Sequence, residues 1–300
     1  MSSKLLVITG PTATGKSRLG IELAKKYSGE IINGDSVSIY RHLDIGSAKT
    51  MKAEMDGVIH HLIDEKMPEE DYSVAQFQKE ARNKIREIQN RGHLPIVVGG
   101  TGLYLKALIY DYEFPDNAEN EDDFAEETDE VLYEKLRTVD PVSAAKIHPH
   151  NRRRIVRALQ IASSGTTKSA QEDTQQHQML YDALIIGLTM DRNELKKRIS
   201  IRVDQMMAAG LETEAAELFR KYPADLRPLR SIGYREFVPY LKGEVTIEQT
   251  VNDIKTHTWQ FAKRQYTWFR HQMPVYWADT GKENWQEDIT REIECWLSRV

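Results

Sequence analysis

The sequence predicts an α/β fold in which a parallel sheet flanked by helices is interrupted by a mostly helical inserted domain. The first third alternates apolar strand-like runs with amphipathic helical stretches, which is typical of parallel sheets. Residues 111–130 then contain eleven Asp or Glu, no Lys or Arg and few apolar side chains. Strand character returns only at residues 183–189. We therefore expect a core made of residues 1–112 and 181–300, and a helical insertion domain made of residues 113–180.

Composition narrows the class of protein. The 300 residues are 40% hydrophobic and 29% charged, as in ordinary globular proteins. A single cysteine, Cys295, excludes an internal disulfide framework and a cysteine-based zinc cluster. No apolar run approaches the ~18 residues that span a bilayer, and a strand-like run from Lys4 leaves no room for a signal peptide. We expect a cytoplasmic protein with no membrane partner, and nothing in the sequence requires more than a monomer.

The elements of the core follow one another in order. A buried strand at 4–9 and a helix from Gly15 to about Tyr27 precede a short strand at 30–33, which ends at Gly34-Asp35. A capping box and one apolar helix face then predict a helix, carried by Ser73, Gln76, Phe77, Ala81, Ile85 and Ile88. Gly92 ends that helix, and the next strand, 94–98, runs into Gly99-Gly100-Thr101-Gly102.

The later segments are mostly helical. The acidic stretch predicts a mobile connector, residues 128–165 predict helices, and residues 166–178 predict a polar loop. After the strand at 183–189, everything from Asp191 onward predicts helices.

One motif is specific. Its residues are Gly10, Pro11, Thr12, Ala13, Thr14, Gly15, Lys16 and Ser17, which fit the P-loop pattern between a strand and a helix. In such a loop, backbone N–H groups and the helix N-terminus surround phosphate oxygens. Lys16 would neutralise the terminal phosphates and the Ser17 hydroxyl would bind Mg²⁺. The alternative is a chance match in a glycine turn, but the strand-helix context favours a P-loop NTPase-like sheet.

The usual acidic partner of a P-loop is absent. The strand at 94–98 runs into glycines, where many nucleotide hydrolases carry a magnesium-binding acid. Asp35 is the first acid after the P-loop to emerge from a strand, at the sheet edge where α/β proteins bind ligands. It could serve as a magnesium ligand, a general base or a substrate anchor, or it could be a turn or helix-cap aspartate.

Four further patterns have two interpretations each. Thr101 could contact a ligand or cap a helix, and Arg153, Arg154 and Arg157 could bind phosphates or form a solvated helix face. Arg198 and Arg202 could clamp a leaving pyrophosphate or pair with nearby acids. The segment 259–271 could pack in the core or present Lys263, Arg264 and Arg270 to RNA.

The adjacent histidines His60 and His61 have no metal-binding residues near them in the sequence, and we interpret the pair as structural.

Taken together, these segments resemble the tRNA dimethylallyltransferases (isopentenyltransferases) of bacterial type. The matching motifs cover nearly the whole chain in order: 10–17, Asp35-Ser36, Ile39-Tyr40, 44–49, 60–64, 98–104, Arg154 with Arg157-Ala-Leu159, Ile232-Gly-Tyr234, and 262–265 with Trp268. Ser47 and Ser38 depart from the usual Thr and Gln of the family.

The resemblance implies transfer of the dimethylallyl group of dimethylallyl diphosphate to N6 of the adenosine immediately 3′ of the anticodon, with release of pyrophosphate. It implies Asp35 as the base and Thr101 as a catalytic contact to the target nucleotide. The P-loop residues and Arg202 would hold the diphosphate, with Mg²⁺ on Ser17 as cofactor. Transfer RNA would contact Asp35, Ser36, Val37, Ser38, Thr101, Arg153, Arg154, Arg157, Lys263 and Arg264, and the insertion domain would hold the anticodon stem-loop.

Two other functions stay open at the level of the sequence. A small-molecule kinase would hold ATP in the P-loop and use Asp35 as base toward an acceptor hydroxyl. A regulatory RNA-binding protein would bind tRNA without catalysis. The sequence leaves open whether ATP binds and whether Asp35 is base or magnesium ligand.

Overall fold

A computed structural model describes residues 4–112, 114, 124, 126–163, 165–170 and 178–299. The chain divides into two compact units. The core unit comprises Met1–Ile109 and Tyr181–Val300, and the insert unit comprises Tyr110–Leu180. Most of the acidic connector and of the polar loop predicted at 166–178 lies outside the described residues. Within the described residues, no helix is both long and apolar enough to cross a membrane.

The core unit is built on one six-stranded sheet in which every pairing is parallel. Its strands are β1 (Lys4–Thr9), β2 (Gly29–Asn33), β3 (His60–His61), β4 (Leu94–Val98), β5 (Asp182–Thr189) and β6 (Tyr276–Asp279). The order is β3-β2-β4-β1-β5-β6. This confirms the predicted fold class, because a parallel sheet needs the long helical crossovers that the sequence pattern indicated.

Helices cover this sheet and extend the core unit. They are α1 (Lys16–Lys26), α2 (Val74–Asn90), α3 (Gly102–Ile109), α7 (Arg192–Ala208), α8 (Leu211–Lys221), α9 (Phe237–Leu241), α10 (Ile247–Gln272) and α11 (Trp285–Ser298). Helix α2 begins with the predicted capping box: Ser73 accepts from the Gln76 N–H, and the Gln76 side chain accepts from the Ser73 N–H. The main core packs β-strand residues such as Leu6 and Ile8 against Leu19 of α1 and Ile293 of α11.

The expectation of helices alone after Asp191 is wrong at Tyr276–Asp279, which forms the edge strand β6 beside β5. The segment has only four residues, too few for an alternation of apolar and polar side chains to stand out. It forms because β5 offers a parallel partner, with Ile186 opposite Tyr276 and Thr189 opposite Asp279.

One charged group is built into the sheet. Glu30 of β2 is 2% exposed, and its carboxylate accepts hydrogen bonds of 2.7–3.0 Å from the side chains of His61, Arg91 and His93. Burial would raise the pKa of Glu30, but these hydrogen bonds outweigh it and lower the pKa to about 2. His61 therefore serves a structural purpose, in line with the sequence interpretation of the histidine pair.

The insert unit contains α4 (Asp129–Val139), α5 (Pro141–Lys146) and α6 (Arg152–Ser163). Its own small core includes Leu132, Leu136, Ile155 and Leu159. Asp140 caps α5 by accepting from the Ser143 N–H and also accepts from Ser169. Three helices therefore occupy most of residues 129–163, a range that the sequence predicted to be helical.

Candidate active site

The P-loop connects β1 to α1. Gly10 has a φ of 127°, and a side chain there would lie 2.5 Å from the Leu188 carbonyl oxygen, so only glycine fits. Gly15 has a φ of 94° at the start of α1. The Pro11 carbonyl accepts from Lys16 Nζ at 2.7 Å and from Thr14 Oγ1 at 2.8 Å. Two side chains of the motif are thus bonded to one carbonyl of the loop, and Gly15 directly precedes the first residue of α1.

The loop opens into a cavity of about 560 Å³ in the core unit. Of the predicted diphosphate residues, those that line the cavity are Thr12, Ala13, Gly15, Lys16, Ser17 and Arg202. The cavity is not lined by Gly10, Pro11 or Thr14, because these residues form the buried back of the loop. Arg202 reaches the cavity from α7, with its guanidinium 3.4 Å from Thr12 Oγ1 and 3.3 Å from the Ala48 carbonyl.

The electrostatics of this wall favour an anion. Burial and the neighbouring Arg202 lower the pKa of Lys16 to about 7, although the Asp35 carboxylate works in the opposite direction. Burial also lowers the pKa of Arg202, again opposed by Asp35. A lysine and an arginine that are both buried in one wall, with the arginine weakening the charged form of the lysine, indicate a site that gains from a bound polyanion.

Asp35 follows β2 and lines the same cavity. Its Oδ1 accepts from the Val37 N–H at 2.9 Å, which is the turn geometry that the sequence left open. Asn33 fixes this turn by accepting from the Asp35 N–H and donating to the Asp35 and Leu62 carbonyls. Among the described residues, Asp35 Oδ2 has no hydrogen-bond partner, and the residue lines the cavity. The turn therefore holds one carboxylate oxygen and leaves the other available.

Thr101 lies in the glycine turn after β4. Its Oγ1 accepts from the Ser36 N–H at 3.1 Å instead of capping α3. Gly99 lets this turn approach β2, because a side chain there would lie 2.3 Å from the Gly34 carbonyl oxygen. Thr101 and residues 35–38 therefore form one continuous part of the cavity wall.

The remaining predicted residues separate into groups. Arg264 lines the cavity from α10, whereas Lys263 lies on the exposed surface with its ammonium 5.6 Å from the Trp259 ring centroid. Arg198 points away and pairs with Glu194 at 3.2 Å, so the ion-pair interpretation holds for Arg198 and not for Arg202.

In the insert unit, α6 presents an open basic face. Arg153 and Arg154 are exposed and Arg157 is half-buried. None of the three forms an ion pair with a described residue, whereas the neighbouring Arg152 binds Asp129 at 2.9 Å.

Sequence reasoning missed three features of the cavity. Arg230 and Arg235 line it beside the Ile232-Gly-Tyr234 motif, whose proximity was their only signal. Glu214 of α8 accepts from the N–H groups of residues 44, 45 and 46 and from the Tyr234 hydroxyl. Glu214 thus shapes the loop that carries Gly46, Ser47 and Ala48 into the cavity wall.

Magnesium would find few protein ligands here. No group of three or more His, Cys, Asp or Glu that could hold a metal ion occurs among the described residues. The Ser17 hydroxyl and the Asp35 carboxylate both line the cavity. Mg²⁺ usually keeps several waters and takes one or two protein oxygens plus substrate phosphates. The residues present fit that pattern.

The chain is similar to known proteins in both sequence and structure. The model of the IPP transferase family matches residues 38–272. A tRNA dimethylallyltransferase from Bacillus cytotoxicus is 47% identical over 97% of this chain and 95% of its own. The structure of a full-length tRNA isopentenylpyrophosphate transferase from Bacillus halodurans superposes with a TM-score of 0.76 at 42% identity, covering 98% of this chain and 97% of that one. A eukaryotic dimethylallyltransferase described as acting on tRNA gives a TM-score of 0.87 at 31% identity, covering 97% and 78%.

Proposed function

This chain belongs to the IPP transferase family, and from that premise we propose that its cavity transfers a dimethylallyl group from dimethylallyl diphosphate to tRNA. The acceptor is N6 of the adenosine immediately 3′ of the anticodon, and pyrophosphate leaves. The observation that carries the proposal is the division of one cavity between a cationic phosphate wall and a wall with an available carboxylate.

The phosphate wall stabilises the leaving group. Negative charge grows on the pyrophosphate as the allylic C–O bond breaks, and Lys16, Arg202 and the N–H groups of the P-loop surround that position. No nucleotide has to be hydrolysed, which explains why the strand at 94–98 ends in glycines and carries no acid.

The part of the cavity wall that carries Asp35 and Thr101 serves the acceptor. As N6 attacks the allylic carbon, a new C–N bond forms and the nitrogen must lose a proton. Asp35 Oδ2 accepts that proton, while the Val37 N–H keeps Oδ1 and hence the carboxylate in place. Thr101 lies beside this position and contacts the target nucleotide. The adenosine has to leave the stack to enter the cavity, which is easiest in a single-stranded loop.

A bound Mg²⁺ would complete the phosphate wall. Ser17 would hold the ion, with Asp35 within the same cavity as a second candidate ligand. The ion would supply additional charge neutralisation of the diphosphate.

Transfer RNA is held by basic surfaces on both units. Arg153, Arg154 and Arg157 of the insert unit and Lys263 and Arg264 of the core unit are the proposed contacts. Arginines that form no ion pair with a described residue suit this purpose, because no such pair has to be broken before phosphate binds.

The test incubates the protein with Mg²⁺, labelled dimethylallyl diphosphate and unmodified tRNA, beside a transcript in which the adenosine next to the anticodon is replaced by guanosine. Label in the first tRNA alone supports the proposal. ATP turnover without label would indicate a kinase, and salt-sensitive tRNA binding without label would indicate a binding protein; either result refutes it.

A further inference from the structure

Gln265 joins two neighbouring loops that follow β1 and β4 and line the same cavity. It belongs to α10, is 6% exposed, and makes two hydrogen bonds with its side-chain amide. Oε1 accepts from the Thr12 N–H of the P-loop at 2.9 Å. Nε2 donates to the Gly100 carbonyl of the glycine turn at 2.9 Å.

The fit around this amide is close. A side chain on Gly100 would lie 2.3 Å from Gln265 Nε2, so the amide lies directly against the turn. The amide orientation is determined by its partners, because a backbone N–H needs an acceptor and a carbonyl needs a donor. A carboxylate of the same shape could satisfy only one of them.

The two loops have different tasks in the proposed reaction. Thr12 lies next to the Arg202 guanidinium on the diphosphate side. Gly100 precedes Thr101, whose hydroxyl accepts from the Ser36 N–H on the acceptor side. A line of contacts therefore runs from the P-loop through Gln265 and Thr101 to the turn that carries the base.

We propose that Gln265 is a positioning residue that sets the separation between the diphosphate in the P-loop and the acceptor nitrogen beside Thr101 and Asp35. The inference rests on the proposed function, since it assigns a task within that reaction. Gln265 need not touch either substrate. Transfer between two bound groups is sensitive to their spacing, and a misplacement of about 1 Å can lower a rate by about 100-fold.

The substitution Gln265→Glu tests this with almost no change of shape. An ionised Glu still accepts from the Thr12 N–H but places a negative oxygen against the Gly100 carbonyl. A protonated Glu donates to that carbonyl and restores both hydrogen bonds. The turnover number should therefore fall about 30- to 100-fold relative to wild type at pH 8.5, and by no more than about 10-fold at pH 6. The KM for dimethylallyl diphosphate should change less than kcat.

Gln260→Glu is the matched control. Gln260 lies on the same helix, is exposed and does not line the cavity, so its substitution adds the same charge without reaching the two loops. Gln265→Leu, which can make neither hydrogen bond, should lose activity at both pH values. Thermal unfolding and the exchange rate of the Thr12 amide proton show whether each variant is folded and whether the bridge is lost.

Recovery of Gln265→Glu at low pH, with Gln260→Glu parallel to wild type, supports the proposal. A loss in Gln265→Glu that is equal at both pH values, or no loss at all while wild type is active, overturns it. Absence of transfer by wild type would instead refute the proposed function. In that case, a Thr12 amide that exchanges no faster in Gln265→Leu than in wild type would overturn the bridge as well.

Discussion

The most informative perturbation is pH, because Lys16 titrates close to neutrality. Its pKa is about 7 because burial and Arg202 lower it, and Asp35 offsets this lowering only in part. A bound diphosphate favours the charged ammonium and returns its pKa toward the ordinary value of 10.5. Binding therefore takes up a proton wherever free Lys16 is neutral, and affinity must fall as the pH rises above about 7.

The magnitude follows from the fraction of charged Lys16. About nine-tenths of the free protein carries the ammonium at pH 6 and about one-hundredth at pH 9, so the affinity for dimethylallyl diphosphate should fall about 50- to 100-fold over this interval. The ligand itself adds little above pH 7, because phosphate groups of this kind lose their last proton near pH 6.

Calorimetric titration without tRNA measures this affinity, and repeating it in buffers of different ionisation enthalpy counts the protons taken up. Lys16→Arg supplies the control, since a guanidinium stays charged throughout. Its affinity should be nearly constant between pH 7 and 9. An equal pH dependence in Lys16→Arg and wild type, or a constant affinity in wild type, would refute the reasoning.

Two further predictions concern stability. Gly46→Ala places a methyl group 2.4 Å from the Tyr234 ring, and it should destabilise the fold by about 1–3 kcal/mol in thermal unfolding. The control is Gly281→Ala, whose methyl group would lie 3.3 Å from Asp279 Oδ1; it should not destabilise the fold. Glu30→Gln should lower the free energy of unfolding by ~2–3 kcal/mol at pH 7. The pKa of Glu30 in the folded protein is below its ordinary value of 4.5. In urea titrations, the difference in unfolding free energy between wild type and Glu30→Gln should therefore shrink as the pH falls from about 4.5 toward 2. A difference that does not depend on pH would contradict the role of the carboxylate charge.

The parts of the site that sequence could predict are local. The P-loop is recognisable because its glycines, lysine and serine are adjacent and lie between a strand and a helix. Asp35 could be placed at the same sheet edge because the carboxyl ends of parallel strands meet there. The fold class followed from the same alternation of strands and helices.

The parts that sequence could not predict depend on contacts between distant residues. Gln265 meets Thr12 across 253 positions and Gly100 across 165, and no periodicity along α10 shows that its amide is the one that turns inward. Helical spacing alone does not distinguish Arg198 from Arg202, and only the family resemblance favoured Arg202. The packing of α7 is what places Arg202 beside the P-loop. The edge strand β6 exists because β5 is its partner, and its four residues carry no pattern of their own.

The central claim is that one cavity couples departure of pyrophosphate to alkylation of an adenosine whose proton goes to Asp35. The most direct test compares wild type with Asp35→Asn, which can keep the hydrogen bond from the Val37 N–H but is not a base. Nucleoside mass spectrometry locates the product in tRNA, and pyrophosphate is measured in the same reaction. The account predicts one pyrophosphate per prenylated adenosine next to the anticodon with wild type, and a rate at least ~100-fold lower with Asp35→Asn at nearly unchanged diphosphate affinity. Equal rates for the two proteins, or pyrophosphate released without prenylated adenosine, would contradict it.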